Sequence, residues 1–158
     1  MKPEAPEFSK DTQADCLKLI GMAIVEDIGA SDLDAGVDCT TDAIVPTQAT
    51  ARAAFVSRED GVVCGVEIAK LAISKWAPKL SLEVEVADGQ TVSPKQTIAV
   101  MAGPAHDILT MERTCLNFMC RLSGISTLAG QYAKEIEGTK ACVPVSYTHL
   151  TLPTIYSV

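Results

Sequence analysis

Apolar and polar positions follow two rhythms along this chain. Cys16, Leu19, Ile20, Ala23 and Ile24 recur at three- and four-residue steps, which places them on one helical face. Asp11 or Thr12 can cap the start of that helix, and Gly29 can stop it. Residues 30–42 are rich in Asp, Gly and Ser and read as a loop. Ala49 to Ser57 suits a strand, Glu59-Asp60-Gly61 a turn, and Val62 and Val63 the start of a short strand. Val66, Ala69, Ile73 and Trp76 predict a second helix that ends at Pro78. Leu82, Val84 and Val86 then alternate with Glu83 and Glu85, the pattern of a strand with one wet face. Asp88-Gly89 is a turn, and Thr97 to Met101 form another strand, which Gly103-Pro104 breaks.

The run from Leu109 to Thr127 has the densest pattern. Ile108, Met111, Cys115, Phe118 and Leu122 share one helical face, and Leu109, Leu116 and Met119 add a second apolar stripe. This reading leaves little of the helix for water. Ser123-Gly124 interrupts it, and a last helix carries Ile125, Leu128, Tyr132 and Ile136 to a stop at Gly138. Lys140 to Val145 begins one more strand. Mixed helices and strands with antiparallel turns early in the chain predict an α+β fold without internal repeats. From Ser146 to Val158 there is no Lys, Arg, Asp or Glu, and neither rhythm persists.

Composition narrows the partners. The chain has 158 residues, 47% hydrophobic and 21% charged, enough for one domain with a real core. The net charge is −7 with no block of like charge, which argues against nucleic acid and membrane as partners. None of the six cysteines forms a C-x-x-C pair, so they read as buried, reduced thiols. Residues 1–10 are a polar, flexible lead-in with no apolar signal core, and no segment reaches the apolar length of a membrane span. A cytoplasmic location is expected.

Arg113 is the candidate chemistry. Helical partners lie three or four residues away, and Arg113 finds Leu109, Thr110, Leu116 and Asn117 there. None is a carboxylate, and Glu112 points elsewhere. An arginine on an apolar helix without a local counter-ion expects an anion from another segment, another subunit or a ligand.

The string ILTMERTCLNFMCRLSGIST closely resembles the signature helix of the quinolinate phosphoribosyltransferase family, also called nicotinate-nucleotide pyrophosphorylase (carboxylating). Supporting stretches are EDIG at 26–29, VDCTT at 37–41, REDGVVCG at 58–65, ADGQTV at 87–92, GPAHDIL before the signature and EGTKA at 137–141. Together they cover about residues 11 to 143 in unbroken order, far more specific than a lone glycine motif. The resemblance implies an N-terminal α/β sandwich over residues 11–137, with 138–145 starting the first strand of a C-terminal α/β barrel. Such a barrel takes about 250 residues, so it is truncated here. Where the family continues into D-T-R-K-T this chain has PVSYTHLTLP, so residues 146–158 are expected to be a non-native tail.

The implied reaction joins quinolinate to phosphoribosyl pyrophosphate with Mg, giving nicotinate mononucleotide, pyrophosphate and CO2 in NAD biosynthesis. The phosphoribosyltransferase is expected to be a homodimer or higher homo-oligomer. Forked guanidinium groups suit the substrate's carboxylates, and a magnesium ion binds through one or two carboxylates plus phosphate. The resemblance assigns Arg113 to a quinolinate carboxylate across the dimer interface. It assigns no catalytic residue and no metal ligand to this chain, so the chain alone is expected to be inactive. Arg121 reads as a surface or interface charge, Arg58 as a turn residue, Lys140 as solvated and His106 as a cap or core-edge residue. His149 lies in the tail and takes no family role.

Two other readings stand beside this one. The first is a non-catalytic dimerising or regulatory module. The second is a lipoyl- or biotinyl-like carrier, suggested by the rhythm of ADGQTVSPKQTIAVMAG. Lys95 would be its modified lysine, although it follows Pro94 and no M-K-M occurs.

Overall fold

The structure, a computed structural model, describes residues 8–31, 33, 36 and 38–139. Helix α1 spans Lys10–Ile28. Its cap is Ser9, not Asp11 or Thr12: the Ser9 hydroxyl accepts from the Thr12 amide at 3.2 Å. Asp11 falls inside the first turn, where the helix dipole favours a negative charge. Gly29 ends the helix with φ 73°, the left-handed stop expected of glycine.

The stretch read as a loop holds a short helix, α2, Cys39–Ile44. Asp38 nucleates it, its carboxylate accepting from the Thr41 amide at 3.0 Å and the Thr41 hydroxyl at 2.7 Å. Strands β1 Thr50–Val56 and β2 Gly61–Val62 precede helix α3, Val66–Trp76. Then come β3 Ser81–Val84, β4 Thr91–Val92 and β5 Thr97–Pro104, and helix α4, Ala105–Glu135, closes the described chain.

Strand β5 lies between β1 and β3 in a three-stranded antiparallel sheet. Strands β2 and β4 pair separately. Strand β4 therefore does not form a hairpin with β5, and Lys95 is not the hairpin-tip lysine of a carrier domain. In β3, Leu82 and Val84 turn inward while Ser81 and Glu83 face water, as the alternation predicted. Gly103-Pro104 does not break β5, because Ala51 and Thr50 pair opposite these two residues. The break comes at Ala105, where α4 begins.

Helix α4 also runs unbroken through Ser123-Gly124. Ser123 spends its hydroxyl sideways, accepting from the Cys64 amide at 3.0 Å and donating to the Cys64 carbonyl at 3.1 Å. One turn on, the Thr127 hydroxyl accepts from the Val62 amide at 2.8 Å. The residues that looked like a breaker instead pin α4 to the β2–α3 corner, and a lone glycine costs a helix only about 1 kcal/mol.

The core joins Ile20 and Ile24 of α1, Val66, Ala69 and Ile73 of α3, and Met101 of β5 to Ile108, Met111, Cys115 and Met119 of α4. Gly65 sets one packing distance. Its φ is 106°, and an added Cβ would stand 3.1 Å from the Met119 Cα. Of the second apolar stripe of α4, Met119 is buried and Leu116 partly buried, while Leu109 is exposed. Farther along, Ile125, Leu128 and Tyr132, read as the face of a last helix, are also exposed, because the helix is long and only part of its surface meets the sheet and the other helices.

The cysteines also differ from expectation. Of the five described, only Cys115 is buried, while Cys39 and Cys120 are exposed. Cys39 sits at the first turn of α2 and Cys120 on the outer side of α4, so apolar neighbours in sequence did not enclose them. Most of the lead-in, the strand from Lys140 to Val145 and the tail from Ser146, with Cys142 and His149, lie outside the described residues. Among the described residues, no helix is long and apolar enough to cross a membrane.

Candidate functional site

Arg113 does have a carboxylate partner, supplied by another segment. Its Nη1 donates to Asp27 Oδ1 at 2.7 Å, joining α4 to the last turn of α1. The Arg113 side chain is 64% exposed and Asp27 only 16%. The guanidinium is therefore not a buried orphan. It is an outward-facing cation with a sheltered carboxylate behind it. Among the described residues this bond takes one of its five N–H donors, which leaves the fork available to a planar anion.

Local sequence explains the placement. Met111, Thr114 and Cys115 are buried against the core and fix the rotation of α4, which turns Glu112 and Arg113 outward. Ile20, Ile24 and Ile28 bury the inner face of α1 and bring Asp27 beside α4. Asp27 stands in a helical turn that contains no basic residue, where the dipole disfavours negative charge. Sequence reasoning missed Asp27 because the pair spans 86 positions. The available signal was EDIG itself, carboxylates against a helix-stopping glycine with no base nearby.

A small polar cleft of about 280 Å³ lies along the same end of α4. Asp38, Asp42, His106, Asp107 and Thr110 line it. His106 meets the expectation of a core-edge residue: Nε2 stands 2.8 Å from the Val45 carbonyl and Nδ1 3.4 Å from Asp42. Thr110 donates to the His106 carbonyl at 3.0 Å. The Asp38 carboxyl is held below its ordinary range, first by the Thr41 hydroxyl and then by the Thr41 amide. These side chains tie α2 to α4 and are largely committed to one another.

The other candidates scatter. Arg58 sits in an exposed bend before β2, and Arg121 is exposed on α4. Lys95 is exposed in a turn with φ 69°, its amide donating to the Ser57 carbonyl at 2.8 Å. Arg58, Lys95 and Glu112 border an open groove of about 1340 Å³ between β1 and α4. Arg113 is not among the residues that line that groove. Among the described residues, no cluster of three or more His, Cys, Asp or Glu is placed to hold a metal. Asp38 and Asp42, the nearest candidates, are engaged by Thr41 and His106.

A three-stranded sheet with helices packed over its core makes this an α+β sandwich domain. Residues 38–123, more than half of the chain and including Arg113, match the quinolinate phosphoribosyl transferase N-terminal domain. The chain belongs to that family and carries its N-terminal domain. It is 37% identical over 110 residues to quinolinate phosphoribosyltransferase (decarboxylating) 1 of Nicotiana glauca, covering 70% of this chain and 30% of the relative. It is 36% identical over 124 residues to nicotinate-nucleotide pyrophosphorylase (carboxylating) of Mycobacterium leprae, covering 77% of this chain and 43% of the relative. The solved nicotinate-nucleotide pyrophosphorylase of Francisella tularensis superposes with a TM-score of 0.73 at 26% identity, over 85% of this chain and 46% of that one. The chain thus spans less than half the length of these relatives.

Proposed function

We propose that this chain is the N-terminal, substrate-contacting part of an enzyme that transfers a phosphoribosyl group to quinolinate. The products would be nicotinate mononucleotide, pyrophosphate and CO2, in NAD biosynthesis. One observation carries this reading: Arg113, inside the family-matched stretch, is presented outward on a helix with most of its guanidinium donors unspent. A dicarboxylate substrate needs such forked cations, and a single arginine satisfies one carboxylate. The remaining charges, including any carboxylates that hold magnesium, belong to the part of the relatives that this chain does not span. Arg113 reaches a site completed by a second subunit of a homodimer or higher assembly. Exposure of Arg113 and of the apolar residues on α4 is consistent with such a neighbour.

The test joins residues 1–139 to the C-terminal part of the Mycobacterium leprae relative and measures nicotinate mononucleotide formation. The joined enzyme is expected to be active, while the 158-residue chain alone gives only background, because groups that act as a unit do not act singly. Mixing an Arg113→Ala form with a form inactivated in its C-terminal part is expected to recover activity through hybrid dimers. A fully active Arg113→Ala form, or transfer by the 158-residue chain alone, would overturn the proposal.

A further inference from the structure

Asp27 is oddly placed for a residue that serves only its own helix. It stands with Glu26 in the last turn of α1, where the dipole disfavours a carboxylate and no lysine or arginine of the turn offsets it. Its side chain is far more sheltered than that of its partner. A sheltered carboxylate is a fixed point, whereas an exposed arginine on a long stem has many rotamers to lose. The 2.7 Å bond from Arg113 Nη1 to Asp27 Oδ1 therefore restricts the guanidinium more than it restricts Asp27. The contact is single-pronged, so it fixes the guanidinium without consuming its fork.

We propose that Asp27 is a positioning residue: it holds the Arg113 guanidinium in the orientation in which its remaining donors meet a substrate carboxylate. This rests on the reading of Arg113 given above. The mechanism is preorganisation. Without Asp27, part of the binding energy of the incoming carboxylate goes into freezing the arginine stem. Asp27 also sets an opposite charge beside the guanidinium, so position and charge pull in different directions. Asp27→Asn keeps an oxygen acceptor and removes the charge. Asp27→Ala removes both.

The test uses the enzyme joined to the Mycobacterium leprae C-terminal part and, independently, the 158-residue chain. In the joined enzyme Asp27→Ala is expected to raise the quinolinate KM about tenfold. The KM for the phosphoribosyl donor and kcat should stay within about twofold. Asp27→Asn should recover most of the loss. In the 158-residue chain, the 15N side-chain resonance of Arg113 Nε should be restrained in the parent and averaged in Asp27→Ala. That arm holds even if a joined variant fails to fold. An Asp27→Ala enzyme that melts early but keeps its quinolinate KM would make the pair a structural bridge and overturn the inference. So would an Arg113 Nε signal indifferent to Asp27. An unchanged KM in Arg113→Ala would instead remove the underlying reading, and the inference with it. A raised KM in Arg113→Ala but not in Asp27→Ala would overturn the inference alone.

Discussion

Replacing Gly65 with alanine tests how closely α4, which carries Arg113, is held against the β2–α3 corner. Two separable costs apply. Gly65 has φ 106°, a conformation that a Cβ disfavours by about 1–2 kcal/mol. The new Cβ would also lie 3.1 Å from Met119 Cα, 3.3 Å from Leu122 Cδ1 and 3.4 Å from the Met119 nitrogen. Two of these three atoms are helix backbone, which cannot rotate away, so α4 must move by a few tenths of an ångström. Overpacking of this kind costs about 1–3 kcal/mol. Gly89→Ala is the control, because Gly89 has φ 84° and nothing within 4 Å of the added Cβ. It carries the backbone cost alone. Urea unfolding should show Gly89→Ala down by about 1–2 kcal/mol and Gly65→Ala by about 2–5 kcal/mol. At roughly 2–4 °C per kcal/mol, the two melting temperatures should differ by several degrees. Equal losses would mean that α4 yields without cost and that its distance is not set at Gly65.

Other outcomes follow from the same geometry. Thiol labelling mapped by mass spectrometry at pH 8 should modify Cys39 and Cys120 but spare Cys115, whose thiol burial pushes up to about 12. Asp38 has a depressed pKa, so its cap is present above the ordinary carboxylate value of about 3.9 and is lost as pH falls through its lower folded value. Hydrogen exchange should therefore show Thr41 to Val45 losing protection on acidification, with the pH dependence abolished in Asp38→Asn. Asp88→Ala should cost about 1 kcal/mol in urea unfolding, because Asp88 accepts from the Val66 amide at 2.8 Å and caps α3, which Gly65 leaves without a side-chain cap. Met111→Ala, in the centre of the core, should lose about 2–5 kcal/mol.

The pattern of apolar positions predicted the helices well where one face is buried, as in α3, and the strands where alternation is clean, as in β3. It failed where a polar side chain acts out of register with its own element. Ser123 read as a helix breaker because its bond to Cys64 spans 59 positions. Asp38 sits in a stretch whose Asp, Gly and Ser content reads as loop, yet its carboxylate starts a helix. Gly103-Pro104 read as a strand end because the pairing that carries β5 through it comes from β1. At the site, helical spacing singled out Arg113 and its lack of a local carboxylate, but it set the arginine on a mostly buried helix; neither its exposure nor its partner was legible. Spacing reports neighbours at three and four residues, and Asp27 is 86 positions away.

The ion pair also changes what a stability measurement on Arg113 can mean. A buried arginine with no counter-ion would destabilise the fold, and Arg113→Ala would then be neutral or stabilising. The observed pair has one sheltered and one exposed member. Exposed pairs contribute about 0–1 kcal/mol, while removal of the arginine leaves Asp27 at a helix end that disfavours its charge. A small loss is expected from both contributions, well below the several kcal/mol of a broken buried bridge. Folding energy therefore explains little of why an arginine stands there. The pair costs a long side chain its freedom and returns little stability, yet it leaves most of the guanidinium donors facing outward. That balance fits the role proposed for Arg113, and on that proposal quinolinate affinity, rather than melting temperature, is the measurement on which Arg113 and Asp27 are judged.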